Sequence, residues 1–253
     1  MASELVERLV PDRSWELFQR VAPSAPTRPQ GGGRRRSHGD REVLAAIVFV
    51  ATSGCTWNQL SPGFGPSGVT AFRRFTEWSE ARVWAKLHRL VLDELGGQGE
   101  LDWSRCAIDS VSVRAVKGTL TGPNQTERGK SGSKIHLIVD RNGLPLSIGI
   151  SGANLHDNQA LEPLVRGIPP IRSRRRPRRR RPTKLHGDKG YDYSHLRRWL
   201  RTRGIIPRSD THLLPQTAQM KWTARRSGPC RLAQRERSHR PPGIHWFAAP
   251  SLA

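Results

Sequence analysis

A chain of 253 residues with 43 Lys and Arg against 21 Asp and Glu carries a formal charge of +22; such a chain repels itself unless a polyanion is near, and nucleic acid is the first partner to consider because basic side chains gain affinity by releasing counterions from phosphates. The length suits one large domain or two small ones. Cys55, Cys106 and Cys230 form no CxxC pair, which argues against a disulfide framework and a structural zinc site, and the lack of any apolar run of about 18 residues argues against a membrane span.

The first segment, "MASELVERLVPDRSWELF", carries Glu4, Glu7 and Asp12 and lacks the apolar stretch of a signal peptide, so a cytoplasmic protein is expected. Leu5, Leu9, Leu17 and Phe18 have helical spacing and are expected to share a face. Residues 23–40 are Pro, Gly and Arg without periodicity and read as a linker; its Arg34–Arg36 run suits either phosphate binding or a solvated tether. "DREVLAAIVFVATSG" starts like a helix, with Asp40 as its cap, Val43, Ile47 and Val50 as its core face, and Gly54 as its end. Thr56 is placed to cap a short helix. Ser67 is placed to cap another that turns Phe72, Phe75 and Trp78 inward and Arg73 and Arg74 elsewhere. A further amphipathic helix is expected over 82–97. Short helices with arginines on the penultimate one suit a helix-turn-helix module and equally an ordinary bundle with an aromatic core.

From Glu100 the texture changes. Residues 103–116 read as a strand, and 133–153 as a hairpin of two apolar strands around Asn142-Gly143, a strong turn signal. A helix is expected over 154–168, then the exposed basic run "RSRRRPRRRRP" (172–182), a short strand "TKLHGD" (183–188) and a helix over 194–204 closed by Gly204. Strands interleaved with helices predict a mixed sheet with helices packed on it, an α/β arrangement.

Asp109 and Asp188 each follow an apolar strand stub. On neighbouring strands they would emerge together at one end of the sheet and repel, unless a cation sits between them. Magnesium takes carboxylate oxygens while keeping positions for phosphate and water, and paired ions serve phosphodiester chemistry. The competing reading is that each aspartate caps a turn, and spacing alone favours it.

The segments "DREVLAAIVFVATSGCTWNQL" and "FGPSGVTAFRRFTEWSEARVWAKLH" in the front half carry a family resemblance, as do "AIDSVSVRA", "GKSGSKIHLIVDRNGLPLSIGISGANLHD" and "HGDKGYD" in the second half. In combination, over roughly residues 25 to 207, the chain resembles an insertion-sequence transposase of the IS5 type, in the DDE group. The resemblance implies a ribonuclease H-like mixed sheet with flanking helices, preceded by a small helical, helix-turn-helix-like domain. The implied divisions are 1–39 (N-terminal helix and basic linker), 40–99 (helical DNA-binding domain), 100–207 (catalytic core, incomplete) and 208–253 (aberrant tail). It makes Asp109 and Asp188 the first and second catalytic acids and ligands of Mg²⁺ or Mn²⁺. Arg73, Arg74, Lys134, His136 and Lys189 become the candidate DNA contacts, with Lys134 and His136 suited also to ordering the hairpin. His156 and Asp157 lie in a segment typical of the family. The implied reaction is hydrolysis at the element ends followed by attack of the freed 3′-hydroxyl on target DNA, by a protein associated with the nucleoid and able to form a homo-oligomer on DNA.

The pattern breaks after Pro207. A glutamate is expected downstream on a helix of the form WxxER, and none is found. Prolines recur at 215, 229, 241, 242 and 250, and the composition is what a GC-rich gene gives when read out of frame. A frameshift near codons 207–210 is therefore expected, and the flanking nucleotide sequence tests it. Asp210 and Glu236 are the acids left beyond Asp192; Glu236 lacks the expected flanks, and Pro241-Pro242 would cut short a helix. Three readings follow: a transposase impaired in catalysis, a DNA-binding remnant that inhibits the intact enzyme, and a metal-dependent nuclease.

Overall fold

Pro11 decides how the chain begins. The computed structural model describes residues 2–24, 38–115, 118, 120–174, 177–209 and 245–246. Where one amphipathic helix was expected, there are two, α1 (Ala2–Leu9) and α2 (Asp12–Gln19), because proline brings no N–H and its ring clashes with the preceding turn. The break re-aims the side chains: Val6, Val10 and Phe18 are buried, and Leu5 is exposed.

Helix α3 (Asp40–Ser53) is capped by Gly39 rather than Asp40; the Gly39 N–H donates to Glu42 Oε2 (3.1 Å). Gly54, at φ +70°, closes it as expected. The connector from Gly54 to Ser67 is longer than the tight turn of a helix-turn-helix, and holds two 3₁₀ turns, Trp57–Gln59 and Pro62–Phe64. Thr56 and Gln59 are paired through N–H and Oε1 (2.9 Å). Ser67 caps α4 (Gly68–Glu80), its Oγ accepting from the Thr70 N–H (3.3 Å), and α5 (Val83–Gln98) follows. At Gly68 a Cβ would stand 1.8 Å from the Trp57 carbonyl oxygen. Gly68→Ala should therefore cost about 1–3 kcal/mol, the range for overpacking, and a urea unfolding midpoint measures it.

Arg74 departs from its expected orientation. Positions 71, 74 and 78 lie on one helical stripe, and Ala71, Arg74 and Trp78 are all buried. The guanidinium is bonded to Asp40 and to Glu77 (Nη1–Oε2, 3.0 Å) and lies 5.3 Å over the Trp78 ring. Arg73, one position off that stripe, is exposed, and so is Phe72. The aromatic side chains of Phe18, Trp78 and Trp84 meet in edge and tilted contacts, with Phe18 and Trp78 at 4.7 Å.

The chain divides into two compact units within α5, between Val91 and Leu92. The second is built on a mixed sheet of β1 (Cys106–Arg114), β2 (Gly122–Asn124), β3 (Lys130–Asp140), β4 (Pro145–Gly152), β5 (Lys184–Gly187), β6 (Ile206–Ser209) and β7 (His245–Trp246), in the order β6-β5-β1-β3-β4-β7 with β2 on β3. Strands β1, β3 and β4 form an antiparallel meander, while β5 joins β1, and β6 joins β5, in parallel. Helices α6 (Asn158–Gly167) and α7 (Ser194–Arg201) pack through Ala160, Leu161, Leu164, Leu196 and Leu200 against Cys106, Ile108, Ile138 and Leu185. Cys106 sits in this core as a small apolar residue, its thiol pushed up to about 12 by burial and by the carboxylates of Asp140 and Asp102. Asp140, also buried, fixes the expected hairpin turn: Oδ1 accepts from the N–H groups of Asn142 (2.9 Å) and Leu144 (2.8 Å), and Oδ2 from Asp102 N–H (2.9 Å). Among the described residues no helix is long and apolar enough to cross a membrane. The basic linker with Arg34–Arg36, Cys230, and the expected tail with Asp210 and Glu236 lie outside the described residues.

Candidate active site

The parallel pairing of β1 with β5 sets Cys106 opposite Leu185 and Ala107 opposite His186. Continued by two residues, that register puts Asp109 opposite Asp188. The intervening pair is in close contact, since a Cβ on Gly187 would stand 3.0 Å from Ile108 Cγ2. By that extension Asp109, within β1, stands level with Asp188, the residue just after β5.

Each carboxylate also accepts a bond from a nearby backbone N–H, Asp109 from within β1 and Asp188 as the cap of a turn. Asp109 Oδ1 accepts from the Ser110 N–H (2.7 Å), and Asp188 Oδ1 accepts from Gly190 N–H (2.9 Å), capping the 3₁₀ turn Lys189–Tyr191. Both bonds use Oδ1; among the described residues the Oδ2 atoms accept none. Turn capping, seen at Asp188 alone of the two, is therefore compatible with ion binding, each carboxylate having one oxygen fixed and the other open.

The Asp109 carboxyl is raised above its ordinary range, first by lost hydration; the Ser110 N–H opposes this, and the carboxylates of Asp188 and Asp157 add to it. The shift favours the neutral carboxyl, and a proton or a divalent ion on these hard oxygens would each relieve the repulsion. Among the described residues no group of three or more His, Cys, Asp or Glu side chains is arranged to hold a metal, so the arrangement is a pair.

The nearest further carboxylate, Asp157, is already engaged. Its Oδ1 accepts from Lys134 Nζ (3.0 Å) and from Ser110 Oγ (2.9 Å), and Lys134 also donates to the Leu155 carbonyl (2.8 Å). His136 is fully buried; its Nε2 shares a hydrogen bond with Ser151 Oγ (2.8 Å), and its Nδ1 stands 4.0 Å from Asp157. Lys134 and His136 thus lie within the sheet's packed, polar end, braced against the start of α6. Tyr191 is buried beside them, its pKa held well above the usual range by burial first and then by Asp157, with the neighbouring Ser110 hydroxyl opposing. Ser110 and Tyr191 escaped the sequence reading. The available signal was position: one follows Asp109 directly, and the other closes "HGDKGY". Of the five basic candidates, Arg73 and Lys189 are exposed.

Burial holds His136 at about 4, well below the ordinary 6.5, with Asp157 opposing the shift and Lys134 adding to it. The unfolded chain takes up this proton near pH 6.5 and the folded one only near 4. The contribution of neutral His136 is therefore complete above about pH 6.5 and is lost as pH falls toward 4. Urea midpoints at pH 7 and pH 5 should show that loss, and His136→Gln should flatten it.

Residues 103–244 match the family model described as "Transposase DDE domain", and residues 10–88 match that described as "Putative transposase of IS4/5 family". The chain belongs to the DDE transposase family. It is 48% identical over 87 residues to the "Putative transposase for insertion sequence element IS402" of Burkholderia cepacia, covering 34% of this chain and 41% of that protein. It is 35% identical over 113 residues to the "Insertion element IS402 uncharacterized 16.2 kDa protein" of the same organism, covering 44% of this chain and 77% of that one. The chain thus spans less than half the length of the first of these relatives. The mixed sheet with flanking helices agrees with the DDE fold, and DDE transposase domains in general use a divalent metal. The family match runs to residue 244, beyond the point at which the expected motifs end.

Proposed function

We propose that this transposase-family chain binds the terminal inverted repeats of an insertion element and performs metal-dependent DNA cleavage and strand transfer, with catalysis impaired by the lack of a third acid. The observation that carries this reading is the placement of Asp109 and Asp188 at the same level of adjacent parallel strands, each with one oxygen tied to a backbone N–H and one open. A divalent cation, Mg²⁺ or Mn²⁺, held by these two carboxylates would supply Lewis-acid activation of the attacking oxygen and neutralise charge on the leaving one. The chain's own residues do the rest. Asp109 and Asp188 would fix the ion's position, the Ser110–Asp157 bond braces the middle of β1 against the start of α6, and Arg73 and Lys189 contact DNA phosphates. In this reading the front helical domain recognises the element ends, residues 100–207 form the catalytic core, and the protein works in the cytoplasm on the nucleoid.

The pairing of only two acids among the described residues favours a second reading. In it the chain binds element ends without cutting and blocks an intact transposase. Incubation with duplexes carrying the element's terminal repeats, with Mg²⁺ or Mn²⁺, separates them. End-specific cleavage and joining supports the transposase. Salt-sensitive, end-specific binding without cleavage supports the inhibitor. Cleavage of any duplex without joining rejects both in favour of a nuclease.

A further inference from the structure

The stretch between α6 and β5, residues 172–182, reads from sequence as an exposed basic run, the kind that is ordinarily just solvated. Its described residues are built into the second unit. Ile171 and Arg179 exchange both backbone hydrogen bonds (2.9 and 2.8 Å), closing a loop. Arg178 Nη1 donates to both oxygens of Asp93 (2.7 and 2.8 Å) and to the Pro170 carbonyl (2.9 Å), and the Arg172 N–H donates to the same carboxylate (2.8 Å). The Arg179 guanidinium lies 5.4 Å from the centre of the Trp103 ring.

Anchoring occupies Arg178 and Arg179 and leaves others outward. Arg172, Arg174 and Arg181 are exposed and make no ion pair among the described residues. Acids close by are already used, Asp93 by Arg178 and Glu162 by Arg166 (3.0 Å). A fixed loop that offers unpaired guanidiniums is suited to phosphates, because their planar forks match phosphate oxygens and little ordering entropy remains to be lost on binding. The place is also distinct. The Thr183 N–H donates to the Trp103 carbonyl (2.9 Å), so the loop lies where β1 and β5 begin, while Asp109 and Asp188 lie where β5 ends. Four residues of strand separate the two by roughly 13 Å.

We propose that Arg172, Arg174 and Arg181, flanking the anchored Arg178 and Arg179, form a docking surface for the backbone of duplex DNA, gripping phosphates away from the acid pair without reading sequence. This rests on the reading of the chain as a DNA-acting transposase. The experiment uses the full chain, a duplex of arbitrary sequence and a duplex bearing the element end, with binding measured across a salt series in metal-free buffer. The double variant Arg174→Gln, Arg181→Gln should flatten the slope of log K against log salt by about 1.8, close to 0.9 for each phosphate that is no longer neutralised, equally on both duplexes. An unchanged slope in the arginine variant overturns the inference and leaves the acid-pair reading standing. A loss confined to the element end also overturns it, since a backbone grip is indifferent to sequence. If the unaltered chain fails to bind either duplex, the inference and the proposed function fall together.

Discussion

Asp109→Ala or Asp188→Ala should weaken Mn²⁺ binding by more than about 100-fold, the upper end of what is lost when only a hydrogen-bonding partner of a metal ligand is removed. Either change halves the pair and leaves a lone carboxylate, which competes poorly with water for a hard cation. Calorimetric titration of the full chain reads this directly, whether or not the chain cuts DNA. The fold should survive, because both side chains are exposed, Asp109 within β1 and Asp188 just after β5. Losing the Ser110 or Gly190 hydrogen bond costs only the modest amount of a solvent-accessible cap. Equal Mn²⁺ affinity in all three proteins would remove the basis of the proposed chemistry. Where cleavage is measurable, it should fall in step with the weakened affinity.

Trp78→Ala should cost about 3–5 kcal/mol, a large part of the stability expected of so small a helical unit. Trp78 has no exposed surface; its ring meets Phe18 at 4.7 Å and Trp84 at 6.0 Å, and it carries the Arg74 guanidinium on its face. Removing it opens a cavity and uncovers a buried charge at once. Denaturant titration followed by tryptophan fluorescence and far-ultraviolet circular dichroism should show the transition of the first unit displaced or abolished and that of the second unchanged. A midpoint shift equivalent to less than about 1 kcal/mol would mean that the site collapses around the gap, contrary to the close packing described.

Local signals were legible where chemistry and position coincide. Asn142-Gly143 marked the turn between β3 and β4, Ser67 and Thr56 marked their caps, and Gly54 marked the end of α3. Arg74 was misleading in orientation because residue type suggests the surface, while the helical period places it on a buried face; His136, open to either a DNA contact or ordering the hairpin, is likewise buried, and both have partners supplied by distant segments. Asp40 and Ser151 are those partners, and no local pattern announces them. Strands β2 and β6 are too short to show a period, and Pro207 lies within β6, at the sheet's edge, where a missing N–H is tolerated. Asp109 and Asp188 were legible as candidates but not as neighbours. Their adjacency depends on which strand β5 chooses, a choice made by packing over a long separation in sequence.

That choice has a kinetic consequence. The meander of β1, β3 and β4 closes through short connections and can form early, whereas β5 must cross the α6 segment and the arginine loop before it reaches β1. Long-range parallel pairing is slow because the entropy of loop closure is spent before any pairing energy returns. On the ribosome, the first aspartate emerges well ahead of its companion, so a nascent chain has a folded half-sheet but no paired aspartates until translation has passed β5.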